Sequence, residues 1–206
     1  MDNISAVIFD CDGVMFDSRP ANTAYYNYLL QYFGLPAMTE EKIAFIHMHT
    51  ADESVRYIFQ GTAYTEKAMG YRLEMDYTPF LKEMIMEPGL KELLNSLRPR
   101  FGLAVATNRS DTISEVLESN GLRSFFDIVV SSLDVKNPKP HPESIYKILD
   151  FFDVGPENCI YIGDSQVDFE VCQAANISLI AYKNHSLNAK IHANSLVGVK
   201  EILDHI

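Results

Sequence analysis

The chain has 206 residues, with 17 Lys and Arg against 28 Asp and Glu, for a formal charge of -11. That balance argues against a general nucleic-acid surface, which needs clustered Lys and Arg, but leaves room for a locally positive pocket that holds a small anion. A hydrophobic content of 47% against 22% charged excludes disorder, and no run approaches the ~18 apolar residues of a membrane span. Met1-Asp2-Asn3 lacks the basic stretch and apolar segment of a signal peptide. Cys11, Cys159 and Cys172 fit neither a disulfide framework nor a zinc cluster, so the expected setting is reducing and cytoplasmic.

The first element is Ala6-Val7-Ile8-Phe9, a short, continuously apolar run of the kind found in strands buried on both faces. It ends in Asp10-Cys11-Asp12-Gly13. Residues 16–86 follow, helix-like and rich in Tyr, Met and Glu, with Asp17-Ser18 before Pro20 as the first helical start. Tyr25, Tyr28, Leu29 and Tyr32 recur there at helical spacing and are expected to pack helix on helix. A helix is expected from Leu90 to Leu97, after Pro88-Gly89. The second strand, Leu103-Ala104-Val105-Ala106, ends in Thr107-Asn108. The next helix spans Ile113 to Ser119, with Ser110-Asp111 as its N-cap and Gly121 as its stop.

Ile128-Val129-Val130 reads as a third strand. It leads to Lys139-Pro140-His141-Pro142, whose last proline suits the first turn of a helix running to Phe152. Ile160-Tyr161-Ile162 is a fourth strand, ending in Gly163-Asp164-Ser165 with Asp168 just beyond. Leu179-Ile180-Ala181 is a fifth. The stretch from Asn184 to Asn194 is polar, and Val197 to Ile206 reads as a closing helix. Strand alternating with helix implies an α/β fold, a Rossmann-like parallel sheet with helices on both faces and right-handed crossovers. The interval 16–86 is too long for a loop and reads as an inserted α-helical domain, leaving 1–15 and 87–206 as the core.

Open α/β sheets bind ligands beyond the carboxyl ends of their strands. Asp10, Asp12, Thr107, Asn108, Lys139, Asp164 and Asp168 all fall there. Neighbouring carboxylates repel in a partly desolvated site, and a divalent cation removes that penalty. Carboxylate and carbonyl oxygens without His or Cys suit Mg2+, with Asp10 and Asp164 as the side-chain ligands. Lys139 offers a charge to a phosphate oxygen and a nearby carboxylate, with Lys136 as its rival. Thr107, placed just before the 110–119 helix, offers a hydroxyl to an anion.

The four segments together resemble the haloacid dehalogenase superfamily: Asp10-x-Asp12-Gly13-Val14, Thr107-Asn108, Lys139-Pro140-x-Pro142-Glu143 and Gly163-Asp164-Ser165-x-x-Asp168, in that order and each after an apolar strand. The insertion point resembles the branch with a helical cap, which includes phosphoglycolate phosphatase and β-phosphoglucomutase. The resemblance implies phosphoryl transfer to Asp10 as nucleophile, with Asp12 as acid and then base. It also implies that Thr107, Asn108 and Lys139 bind substrate and that the Asp12 carbonyl joins the metal ligands. Asp168 would support Lys139 or a metal-bound water. The expected partner is a small phosphorylated metabolite, with no nucleic acid or membrane involved.

A phosphomutase uses the same core residues. A dehalogenase needs neither Asp12 nor Asp164. A phosphoreceiver uses Asp, Thr and Lys, but its acidic cluster lies wholly upstream of the Thr and Lys, and it has no cap. In the helical segment, His47, His49 and Arg56 mark the loop nearest to where such caps face substrate. The two histidines lack a third ligand for zinc.

Overall fold

The computed structural model describes residues 4–47 and 49–205. The chain divides into two compact units, Met1–Asp17 with Met86–Ile206, and Ser18–Ile85. The first unit is built on six strands: β1 (Ala6–Phe9), β2 (Gly102–Ala106), β3 (Ile128–Val130), β4 (Cys159–Gly163), β5 (Ser178–Tyr182) and β6 (Ile191–Ala193). Their order across the sheet is β3-β2-β1-β4-β5-β6, and every neighbouring pair runs parallel. β1 lies centrally, with Phe9 level with Val105 of β2 and Ile162 of β4.

The apolar runs are continuous because both faces of the central strands are covered. Ala6 and Ile8 share a core with Ala104, Ile145, Ile148 and Val171. Val7 and Phe9 point the other way by the two-residue alternation, and are as fully buried. Each Ile or Leu buried in this way stabilises the fold by roughly 1.5–3 kcal/mol. The helix Glu143–Phe152 lies against β2 and β3, the helix Gln166–Ala175 against β4 and β5, and Leu90–Leu97 packs on Leu196–Asp204.

Two local features differ from expectation. β6 lies inside the polar stretch Asn184 to Asn194, where no strand was expected; its three residues pair with Ile180–Tyr182 of β5. The helix Ile113–Ser119 has its expected bounds, but Thr112 and not Ser110-Asp111 stands at its N-cap, with no side-chain cap bond. The Ser110 hydroxyl instead donates to Asp111 Oδ1 at 2.9 Å. Gly121 does follow its end, at φ +65°, the left-handed conformation that glycine adopts without strain.

The second unit holds the helices Arg19–Tyr32, Glu40–Ile46, Ala51–Ile58 and Thr65–Glu74, followed by a 3-10 turn at Thr78–Glu83. Tyr25 and Leu29 enter its core with Val55, Ile58 and Phe59. Tyr28 and Tyr32 are exposed. Tyr32 stacks on Tyr71 at 3.9 Å and Tyr28 meets Phe80 edge-on at 5.8 Å. Ser18 is the N-cap of the first helix, without a side-chain cap bond and with Pro20 in the first turn. Among the described residues, no helix is long and apolar enough to cross a membrane.

Candidate active site

β1 delivers Asp10 to the rim of the sheet, where its N–H donates to Ile162 O at 3.0 Å. β2 delivers Thr107 in the same way, through a 3.0 Å bond from its N–H to Val130 O. A tight turn follows Asp10: the N–H groups of Met15 and Phe16 both donate to Cys11 O, and Gly13 N–H donates to Phe16 O. Gly13 takes φ +82°, and a Cβ there would overlap the Asp164 carboxylate. Gly163 is needed for the same reason, since a Cβ would overlap the Asp168 side chain. The two glycines let three acidic residues from two strand ends crowd together.

Lys139 lies at the centre of that crowd, buried. Its Nζ donates to Asp10 Oδ1 at 2.9 Å, Asp168 Oδ1 at 2.7 Å and the Tyr161 hydroxyl at 2.7 Å. Its backbone is clamped by Asn108, whose Oδ1 accepts Lys139 N–H at 3.0 Å and whose Nδ2 donates to Lys139 O at 2.9 Å. Both ends of the Asn108 amide are thus spent on the loop. Glu143 holds the approach to that loop by accepting the N–H groups of Lys136 and Asn137. The Lys136 residue is exposed, and its backbone rather than its ammonium takes part here.

Asp168 has no oxygen to spare. Oδ1 takes Lys139 and lies 3.0 Å from the Tyr161 hydroxyl, while Oδ2 accepts from Ser165 Oγ, Ser165 N and Asp164 N. The Ser165 hydroxyl returns the contact as N-cap of the helix Gln166–Ala175. Burial disfavours the Asp168 charge, but Lys139 and Ser165 outweigh it and hold the carboxyl below its usual range. Burial likewise pushes the Lys139 ammonium toward neutrality, and Asp10 with Asp168 overcomes that and keeps it charged. Asp10 is pushed well above the carboxylate range, by burial first and by the other three acids against the pull of Lys139. Asp164 is raised to about 7, by burial and then by the Asp168 charge.

Asp12 points to a different cation. Arg109 grips it with a fork, Nη2 to Oδ1 at 2.5 Å and Nε to Oδ2 at 3.1 Å, while Nη1 donates to Thr112 Oγ1 at 3.1 Å. The guanidinium side chain is only 8% exposed and the Asp12 side chain 35%, so the carboxylate covers the cation and meets solvent itself. Thr107 is buried, and its Oγ1 accepts Arg109 N–H at 3.0 Å. Because the helix starts at Ile113, Thr107 stands in the loop ahead of it and not at its cap.

The donor set fits a divalent metal ion. One carboxylate oxygen each from Asp10, Asp164 and Asp168 lies within 4.8 Å of the others. With Asp168 saturated, Asp10 and Asp164 are the two that can turn an oxygen to an ion. Four carboxylates face two cations, Lys139 and Arg109, in this cluster. A divalent cation balances the two charges left over.

Sequence reasoning missed Tyr161 and the pairing of Arg109 with Asp12. Tyr161 sits inside an apolar run and carried no signal. Arg109 follows directly on Thr107-Asn108, but its partner lies 97 positions away. In the other unit, His49 Nδ1 donates to Phe45 O at 2.9 Å and its ring stacks on Phe45 at 3.6 Å. Arg56 pairs with Glu66 at 3.1 Å. Met48, in the same expected loop, lies outside the described residues.

Residues 7–182 match the family of haloacid dehalogenase-like hydrolases. The chain belongs to that family. This hydrolase is 30% identical to a phosphorylated carbohydrates phosphatase of Thermotoga maritima, over 98% of this chain and 97% of that one. It is 26% identical to a phosphoglycolate phosphatase of Salmonella typhi, over 85% of this chain and 79% of the relative. A solved haloacid dehalogenase-superfamily hydrolase of subfamily IA from Geobacter sulfurreducens superposes with a TM-score of 0.88 at 38% identity, covering 99% of this chain and 98% of that one. A structure described as a putative β-phosphoglucomutase from Thermotoga maritima gives a TM-score of 0.81 at 26% identity, covering 98% and 100%. The α/β architecture expected from the order of elements is therefore the fold of this hydrolase family.

Proposed function

We propose that this hydrolase is a magnesium-dependent phosphatase acting on a small phosphorylated metabolite of the phosphoglycolate or sugar-phosphate type. The observation that carries the reading is the division of labour at the end of β1. Asp10 is held by a lysine, and Asp12, two residues on, is held apart from it by an arginine. Asp10 Oδ1 is occupied by Lys139, so Oδ2 is the oxygen that attacks phosphorus. The Asp10–phosphorus bond forms as the ester bond breaks, and the leaving oxygen takes a proton from Asp12. Asp12 then takes a proton from a water that attacks the aspartyl-phosphate and releases Asp10. For both steps the Asp12 carboxylate must leave the Arg109 fork.

Asp10, Asp164 and, by family likeness, the Asp12 carbonyl would hold the magnesium ion, which neutralises charge on the transferring phosphoryl group. Lys139 keeps Asp10 oriented, and the Thr107 hydroxyl and the N–H groups after Asp10 receive phosphoryl oxygens. Asn108 serves through its clamp on Lys139. The segment Ser18–Ile85 acts as the cap that selects the leaving group.

The relative described as a β-phosphoglucomutase marks the other fate of the same intermediate, return of the phosphoryl group to a sugar. Both readings are tested by measuring phosphate release from a panel of phosphomonoesters with Mg2+ and no bisphosphate primer. Release by the native chain, abolished in Asp10→Asn with the fold intact, is the expected result. Full activity of Asp10→Asn removes the nucleophile, and turnover only with a primer assigns the mutase.

A further inference from the structure

Tyr161 lies on β4, three residues before Asp164, and is fully buried. Its hydroxyl accepts from Lys139 Nζ at 2.7 Å and lies 2.8 Å from Ala106 O and 3.0 Å from Asp168 Oδ1. A phenol has one proton to give, and the nearer acceptor is the Ala106 carbonyl. A buried hydroxyl costs free energy unless it is bonded, and a phenylalanine would fill the same space without that cost. The hydroxyl therefore has a use that packing does not supply, and the group it serves is Lys139.

An ammonium has three N–H donors. Two of those of Lys139 go to fully buried acceptors, Asp168 Oδ1 and Tyr161 Oη. With two directions fixed about a tetrahedral nitrogen, the third is fixed as well, and it points at Asp10 Oδ1. Asp168 alone would leave Nζ, at the end of a flexible four-carbon stem, free to shift about that one hydrogen bond, and the second acceptor fixes its place. Asn108 holds only the backbone of Lys139, four methylenes away from the charge.

We propose that Tyr161 is a positioning residue for Lys139, whose hydroxyl aims the third ammonium N–H at Asp10. This rests on the reading of Asp10 as nucleophile: the aimed N–H is what leaves Oδ2, and not Oδ1, for attack. The tyrosine acts through the lysine, so its loss slows phosphoryl transfer without weakening substrate binding.

Tyr161→Phe removes one oxygen and keeps the ring that lies 5.4 Å from Lys139 Nζ, so the variant isolates the hydroxyl. On the best phosphomonoester of the panel, kcat should fall about 10- to 100-fold, the worth of a hydrogen bond to a charged group, while KM stays at the native value. A crystal structure of the variant should show Lys139 Nζ displaced from Asp10 Oδ1. Native kcat, or a slowed variant in which the Lys139–Asp10 contact is unchanged, overturns the proposal. So does a loss shared equally between kcat and KM. Asp10→Asn, run beside it, tests the nucleophile separately: its retained activity defeats the phosphatase mechanism, and this inference with it, whatever Tyr161→Phe does.

Discussion

Lys139 offers the sharpest contrast between two residues of the same type. Lys136 and Lys139 stand three positions apart in one loop, yet one is exposed and the other is buried between Asp10 and Asp168. Lys139→Ala would leave two buried carboxylates without their cation, a change that typically destabilises by about 3–5 kcal/mol. Phosphate release should fall by orders of magnitude in Lys139→Ala and stay native in Lys136→Ala. Matched denaturant titrations should show the stability loss in the first alone. Impaired turnover in Lys136→Ala with native turnover in Lys139→Ala would reverse the assignment. The polar residues directly after apolar runs (Asp10, Thr107, Asp164) were visible in the sequence because nothing in a core would tolerate them. Tyr161 was invisible for the opposite reason: between Ile160 and Ile162 it reads as core, and only the fold brings its hydroxyl to a lysine 22 positions away. The Arg109 fork on Asp12 spans 97 positions and leaves no local trace.

At the scale of elements, apolar strands and the helices between them were readable, down to the three-residue Ile128–Val130 and the helix Ile113–Ser119, and a short strand inside a polar stretch was not. β6 has three residues, one of them His192, and owes its existence to pairing with β5 rather than to its own pattern. The helix Ile113–Ser119 has the bounds its sequence implies, but its N-cap is Thr112 and carries no side-chain cap bond, so the Ser110-Asp111 signal marked the wrong cap. One residue between elements links packing to pH. Asp127 extends the β2–β3 pairing: its N–H donates to Leu103 O at 2.9 Å, and its Oδ2 accepts Leu103 N–H at 2.9 Å and Arg98 Nη1 at 2.5 Å. The Arg98 hydrogen bond, against partial burial, holds the Asp127 carboxyl below its usual range. Its contribution to stability is therefore fully present above the unfolded-state value of about 3.9 and is lost as pH falls through the lower folded value. Asp127→Asn should lower stability at neutral pH and close the gap to the native chain in acid. Equal spacing of the two unfolding curves between pH 7 and pH 3 would remove Asp127 from the account.

For the molecule as a whole, the decisive quantity is where its charge sits. The chain carries a formal -11, which any cation feels weakly and unspecifically. The rim of the sheet is different, because among the described residues four carboxylates there meet two cations, Lys139 and Arg109, and Asp10 and Asp164 are raised by burial. Folding has brought those acids together against their mutual repulsion, so an ion that binds the folded rim and not the unfolded chain must stabilise the fold. Mg2+ at 100 times its Kd should contribute about 2.7 kcal/mol, which for a chain of this size raises the unfolding temperature by roughly 5–10 °C. The same titration on Asp164→Ala should give little or no rise, because the site then has one fewer charge and one fewer ligand. Na+ at matched ionic strength should not reproduce the effect, since screening acts on the whole surface and not on the rim. An equal rise in Asp164→Ala and the native chain would assign the stabilisation to the general acidic surface and take the ion away from the strand ends.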